Sequence, residues 1–209
     1  MAKQKRDAEV SKAKIIENAM LLFSKNGFDA TTVDEVAHQS EVNKALIYYY
    51  FDNKAGLYEV VMNEVLSAIY DKVIKANEMC NTPIEELEAF IKTYAEFAYK
   101  QPYFPALLMR ELSDSGAHLP QTMFASMRRL FMLLTQILKK GEAEGVFKNV
   151  IPMVIHFMII GTFNLLVTTS PLRKKAAQIA DIDTCSECSM DDIADYVFKK
   201  IKVMLEVEI

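Results

Sequence analysis

None of the residues between Lys148 and Arg173 is Asp, Glu, Lys or Arg, and a run so long and so uncharged has few places to go. About eighteen or more apolar residues in a row span a bilayer, whereas an interrupted run is a central helix of a folded core. This run carries Pro152, His156, Gly161, Thr162 and Asn164, and amphipathic segments flank it on both sides. The expectation is a buried helix from about Ile151 to Val167, with no membrane partner. The start, Met1-Ala-Lys-Gln-Lys-Arg, is basic without an apolar stretch behind it, so no secretory signal is read and a cytoplasmic protein is expected. Cys80, Cys185 and Cys188 are an odd number of cysteines, and no disulfide framework is expected of such a chain.

Helical periodicity organises the rest, since apolar residues three and four apart share one helix face. Ile15, Ala19, Leu22 and Phe23 give a helix over Lys12 to Lys25, stopped at Asn26-Gly27. Thr31 or Thr32 caps a short second helix bearing Val33, Val36 and Ala37, and a third runs from about Lys44 to Tyr50. A long helix follows from Lys54 to about Ala76. Then come a helix after Pro83 with Leu87, Phe90, Ile91, Tyr94 and Phe97, and a short one from Pro105 to Leu112. The next carries Met123, Met127, Leu130, Phe131, Leu134, Ile137 and Leu138 and is closed by Gly141 and Gly145. After the uncharged helix comes a polar stretch from Ser170 to Ser189, and then a last helix with Ile193, Val197, Ile201 and Met204 as its seam. The chain therefore reads as all-α, with about nine helices, no strand, and a size of 209 residues that buries a sizeable core.

Charge separates the two ends. From Met1 to Lys54 there are eight basic and eight acidic residues, so the net charge of −4 resides in the rest of the chain. Met1 to Lys14 holds five basic residues against Asp7 and Glu9, a short arm suited to a phosphate backbone. The stretch TTVDEVAHQSEVNKALIYYYFDNK, Thr31 to Lys54, has the spacing of a helix-turn-helix. Ala37 lies where two helices cross, Glu41 at the turn and Ile47 where an apolar plug belongs. Amides at the start of the Thr32 helix suit a phosphate oxygen, as do the hydroxyls of Thr31 and Thr32. Tyr48 and Tyr49 offer phenolic donors, and Lys44 reaches a phosphate or a guanine edge.

Ala45-Leu46-Ile47-Tyr48-Tyr49-Tyr50-Phe51, then Asn53-Lys54 and Leu57, closely resembles the signature of the TetR family of regulators. The Phe23…Gly27-Phe28 helix end and the Thr31-Thr32-Val33 helix start are placed as that family has them, over some 45 residues. The resemblance implies a homodimer with a DNA-binding head, residues 1–53, whose third helix is the recognition helix, and a ligand-binding and dimerising body, residues 54–209. By resemblance Thr32, Tyr49 and Lys54 hold the DNA backbone, and Lys44, Ala45 and Tyr48 face base edges. Glu41 departs from the family, which has Gly at this turn. A side chain there is strained in a left-handed backbone, and its charge lies near the recognition helix.

The body offers no such motif. Phe97, Phe104, Phe124, Met127, Phe131 and Phe157 lie on its stripes and suit an adaptable apolar pocket, with His156 and Asn164 as polar groups on the uncharged helix. Ordinary core packing accounts equally for most of them. Arg110, Glu111 and His118 offer a further polar contact or a solvated face. Cys185-Ser-Glu-Cys188 invites a redox or metal reading, since thiolates three apart share a zinc or form a strained disulfide, but it is a lone pair where a structural zinc wants four ligands, so a polar loop and no metal are expected. His38, His118 and His156 are scattered among unrelated segments and form no catalytic constellation, so neither an enzyme nor a cofactor is expected. The expected function is a repressor of transcription, released from a palindromic double-stranded operator by a small apolar or amphipathic effector. A membrane-associated helical sensor is the alternative, and a helical enzyme the least favoured.

Overall fold

The computed structural model describes residues 2–179, 185 and 187–207, with side chains from residue 8 onward. Among the described residues there are ten helices and no strand. They are α1 (Ala2–Ala30), α2 (Val33–Gln39), α3 (Lys44–Phe51), α4 (Lys54–Asn77), α5 (Pro83–Lys100), α6 (Tyr103–Ser113), α7 (Gln121–Ala143), α8 (Pro152–Thr168), α9 (Ser170–Ile179) and α10 (Met190–Leu205). Most starts follow from local chemistry. Thr32 and Thr82 each close a capping box with the Glu three residues on, and Asn43, Asn53 and Ser189 accept from the first free amides of α3, α4 and α10. Pro83 and Pro152 occupy the first turns of their helices, where the missing N–H costs nothing.

Two helices differ from the sequence expectation. α1 begins ten residues before Lys12, at Ala2, so the expected basic arm is helical; the side chains of its first residues lie outside those described. The stretch from Ser170, expected only as polar and given no helix, opens with α9, which buries none of its residues. The expected stop at Gly27 is found as a break inside α1, at φ 84° and ψ 173°.

α1, α2 and α3 pack around Ile15, Ala19, Phe23, Val36, Ala37 and Ile47, all buried. α4 passes from this head into the body, touching α1 and α3 on one side and α5 and α7 on the other. α5 is the centre of the body, packed against α4, α7, α8 and α10, while α6 lies between α1 and α8. Leu87, Phe90, Ile91 and Tyr94 are accordingly enclosed. Gly141 does not end its helix. It lies within α7, and a Cβ there would come within 1.9 Å of the Phe147 ring, so glycine lets the chain fold back onto α7.

The uncharged helix is not buried all round. α8 packs through Ile155, Ile159, Phe163 and Asn164, while Ile151, Met153, Val154, Phe157, Met158 and Leu165 are exposed. No single helix among the described residues is long and apolar enough to cross a membrane, although α8 and α9 together, bent by 61°, have the length and composition. The seam of α10 is also displaced. Ala194, Phe198, Ile201 and Leu205 face the core, leaving Ile193 and Val197 at its edge and Met204 exposed.

His156 is half-buried on α8, edge-on to Phe131 at a ring-centroid distance of 5.4 Å, and its Nδ1 has no hydrogen-bond partner among the described residues. Burial therefore pushes its pKa down from 6.5 to about 4. The unfolded chain takes up a proton as pH falls through 6.5, the folded chain only near 4, so stability is full above pH 6.5 and declines from there to pH 4. Urea unfolding at pH 7 and pH 4.5 should show wild type losing up to about 3 kcal/mol more than His156→Leu over this interval. Parallel losses in the two proteins would contradict the burial account.

Candidate nucleic-acid interface

The second and third helices form a helix-turn-helix as their sequence demands. Ala37 is small and buried at the crossing, Ile47 is fully buried as the plug, and the Val42 amide donates to the Ala37 carbonyl across the turn at 3.0 Å. Glu41 sits in that turn at φ 54°, the left-handed backbone expected for this position and one that favours glycine. Its carboxylate is not idle. Lys14 Nζ on α1 lies 2.5 Å from Glu41 Oε2, and this hydrogen bond, with the lysine charge, holds the Glu41 carboxyl below its ordinary range.

Burying Ile47 and Phe51, four apart, turns the other side of α3 outward. Tyr49 is 79 % exposed, and Tyr48 and Ala45 are exposed beside it. Lys44 stands at the start of this face, 5.8 Å from the Tyr48 ring centroid, with Nζ 2.7 Å from Asp34 Oδ2. The hydrogen bond to Asp34 raises the Lys44 pKa. Tyr50 is half-buried and donates to the Ala8 carbonyl at 3.3 Å, fastening the extra turns of α1 to α3.

Besides Lys44, three expected DNA contacts are engaged within the head itself. Thr31 is fully buried and its hydroxyl donates to the Gly27 carbonyl at 2.8 Å, so it cannot reach a phosphate and its role is structural. Thr32 is exposed, but its amide and hydroxyl both donate to Glu35 Oε2, at 2.8 and 2.9 Å, so the Glu35 carboxylate fills the place expected for a phosphate oxygen. Lys54 donates to the Phe28 and Asp29 carbonyls at 3.0 and 3.2 Å and lies 4.4 Å from the Phe28 ring centroid. It clamps the end of α1, and one of its three N–H donors is left over.

The junction between head and body rests on residues that the sequence did not single out for it. Glu111 on α6 is only 2 % exposed, and Tyr58 on α4 donates to its Oε1 at 2.6 Å. The Tyr58 ring packs edge-on against Phe23 and Phe28, and His118 stacks on Phe28 at 4.7 Å. Arg110 reaches across from α6 to the Lys25 carbonyl at 2.7 Å, with its Cδ 3.2 Å from the place of a Cβ on Gly27. Gly27 is thus required twice, by its positive φ and by this approach. The sequence signal was a carboxylate flanked on one helix by Leu107, Leu108 and Leu112; its partner on α4 was not legible.

The eight expected ligand contacts do not converge. Phe97, Phe104 and Asn164 are buried in the core, where Asn164 Oδ1 accepts from Tyr94 at 2.8 Å. Met127 and Phe131 are half-buried on α7, and Phe131 meets His156 of α8. Phe124 and Phe157 are 56 % and 65 % exposed, outside the interior of a single chain. Among the described residues, no group of three or more His, Cys, Asp or Glu is placed to hold a metal ion.

A helix-turn-helix head with an outward recognition helix, seated on a larger helical body, defines a DNA-binding regulator of transcription. A family model described as bacterial regulatory proteins, tetR family, matches residues 15–61, and one described as a tetracyclin repressor-like C-terminal domain matches residues 83–199. The chain belongs to the TetR family. It is 35 % identical over 137 residues to the biofilm operon negative transcriptional regulator IcaR of Staphylococcus aureus, covering 66 % of this chain and 72 % of that protein. The probable transcriptional regulator YttP of Bacillus subtilis is 27 % identical over 137 residues, 64 % of this chain and 66 % of its own. In fold, the chain is similar to a TetR family regulator from Marinobacter aquaeolei, with a TM-score of 0.77, 16 % identity and coverage of 99 % and 100 % of the two chains. It is also similar to FadR of Bacillus subtilis in complex with stearoyl-CoA, with a TM-score of 0.71, 20 % identity and coverage of 90 % and 95 %.

The Glu41 geometry sets an expectation. In Glu41→Gly the turn loses its strained side chain and Lys14 loses its partner, so thermal unfolding should be unchanged or move upward. DNA binding should tighten, with a log-affinity against log-salt slope steeper by about one unit as the released lysine meets a phosphate. A fall in both stability and affinity would show that the Lys14–Glu41 pair positions the head.

Proposed function

We propose that the chain is a cytoplasmic homodimeric repressor that binds a palindromic operator and leaves it when a small apolar or amphipathic effector occupies the body. The observation that carries this reading is the outward face of α3, with Ala45, Tyr48 and Tyr49 presented to solvent by a helix anchored through Ile47 and Phe51. In the reading, residues 1–53 are the DNA-binding part and residues 54–209 the sensing and dimerising part. Lys44, Ala45 and Tyr48 face base edges. Tyr49, Thr32 and the remaining donor of Lys54 face phosphates, and Asp34 and Glu35 hand their partners over to the DNA. A relative named as a negative regulator supports repression.

Dimerisation is supported by the exposed apolar side chains of α8 and α10, Phe157, Met158 and Leu165 on one and Tyr196, Val203 and Met204 on the other, large apolar surface of the kind that marks an interface. Phe157 is assigned here to the dimer face. The effector is placed between α7 and α8 beside Met127, Phe131 and His156, where apolar side chains are half-exposed around an unpartnered ring nitrogen. An amphipathic ligand is supported by the fold neighbour crystallised with stearoyl-CoA.

Sedimentation at micromolar concentration should give a dimer. Selection from random duplexes should return an inverted repeat with half-sites about 34 Å apart, one helical turn. Lys44→Ala should change the selected bases, whereas Lys54→Ala should weaken all sequences alike and reduce stability through its lost clamp. Titration with acyl-CoA thioesters and simpler apolar compounds should lower operator affinity, and Phe131→Trp should blunt that response without changing binding in its absence. A monomer that selects no sequence would overturn the operator reading, and binding of these compounds without any change in operator affinity would overturn the switch.

A further inference from the structure

Cys185 and Cys188 do not form the plain polar loop expected of them. They are joined as a disulfide closing a four-residue loop, with Cα atoms 5.1 Å apart, a separation at which the bond opens and closes without moving the backbone far. The two residues differ in exposure, for Cys188 is exposed and Cys185 half-buried. Cys80 behaves differently: its thiol donates to the Ala76 carbonyl and burial pushes its pKa up, helped by the charges of Glu85, Glu86 and Glu88. One pair is thus built for exchange and the third cysteine is not.

We propose that Cys185 and Cys188 are a reversible thiol–disulfide exchange site whose substrate is a low-molecular-weight disulfide. In the reduced pair the Cys188 thiolate attacks one sulfur of the small disulfide. The S–S bond of the small molecule breaks, and its first thiolate leaves and takes up the proton that Cys188 gave. The Cys185 thiolate then attacks Cys188 Sγ in the mixed disulfide and displaces the second small thiolate, which takes up the proton of Cys185. Two protein thiols and one small disulfide become one protein disulfide and two small thiols, with two electrons passed to the small molecule. In a reducing compartment such a bond is transient, which suits a sensor rather than a staple.

The state of the pair bears on the dimer face. Arg173 of α9 donates to the Cys185 carbonyl at 2.6 Å and to the Leu166 carbonyl of α8 at 2.8 Å, so the loop is tied to the end of α8. Ser189, next to Cys188, caps α10. Cys185 stands at φ 50°, and opening the bond releases Cys188, beside the α10 cap, from the residue that Arg173 ties to α8. This coupling rests on the dimeric-repressor reading; the exchange site does not.

The test uses the full chain equilibrated in graded mixtures of reduced and oxidised glutathione, with thiols trapped by alkylation and read by mass spectrometry. Cys185 and Cys188 should convert together in one two-electron transition while Cys80 stays alkylatable, and Cys185→Ser should accumulate one glutathione on Cys188. A pair that stays reduced at the most oxidising ratio, or a Cys188→Ser variant that captures glutathione as fast as Cys185→Ser, would overturn the site. Operator affinity, or the dimer dissociation constant, should differ at least threefold between the two states of wild type and not in the Cys185→Ser/Cys188→Ser variant. Equal values in both states would overturn the coupling while the thiol transition stands. Failure of the reduced protein to bind any DNA would count against the repressor reading alone.

Discussion

The arrangement of head on body depends on one buried contact, the hydrogen bond from Tyr58 to the Glu111 carboxylate. A carboxylate this enclosed is costly unless its oxygens are satisfied, and here one accepts from the tyrosine while His118 approaches with its amide, 3.4 Å from the other. The tyrosine ring is fixed in turn by Phe23 and Phe28 of α1. The bond therefore joins three elements at once: α4, which leads out of the head; α6, which belongs to the body; and the end of α1. Lys54 and Arg110 add to the same joint by holding the carbonyls of Phe28, Asp29 and Lys25. A recognition helix tied in this way moves with the body rather than on a tether, as the proposed switch requires.

Charge in the head follows a second logic. Lys14 is matched by Glu41, Lys44 by Asp34, and the Thr32 donors by Glu35. These exposed pairs are individually weak, so in the proposed reading they are exchanged for phosphates. With equal numbers of basic and acidic residues from Met1 to Lys54, the surface is not a general nucleic-acid adhesive.

The sequence made the helix-turn-helix framework legible because each feature there has a local cause. Capping by Thr32, the small Ala37, the left-handed turn at Glu41 and the plug at Ile47 are all fixed by spacing and backbone chemistry. What escaped lacks a local cause. The early turns of α1 carry little apolar periodicity and are fastened by the distant Tyr50, and α9 buries none of its residues, so neither has a stripe to read. Gly141 reads as a stop until Phe147 is seen lying over it. Thr31 and Thr32 look alike as letters, yet the helix cap turns one inward and one outward. Glu111 resembles any surface carboxylate until α4 brings Tyr58 to it.

Native-state hydrogen exchange of wild type and Tyr58→Phe tests the joint most directly. Removing the hydroxyl leaves the buried carboxylate short of a donor at a cost of about 1–3 kcal/mol. If the joint makes head and body one cooperative unit, amides of α1, α4 and α6 should lose protection together by a common factor of roughly 5 to 150. Loss confined to α6, with α1 and α4 as protected as in wild type, would contradict the claim that the body holds the recognition helix through this bond.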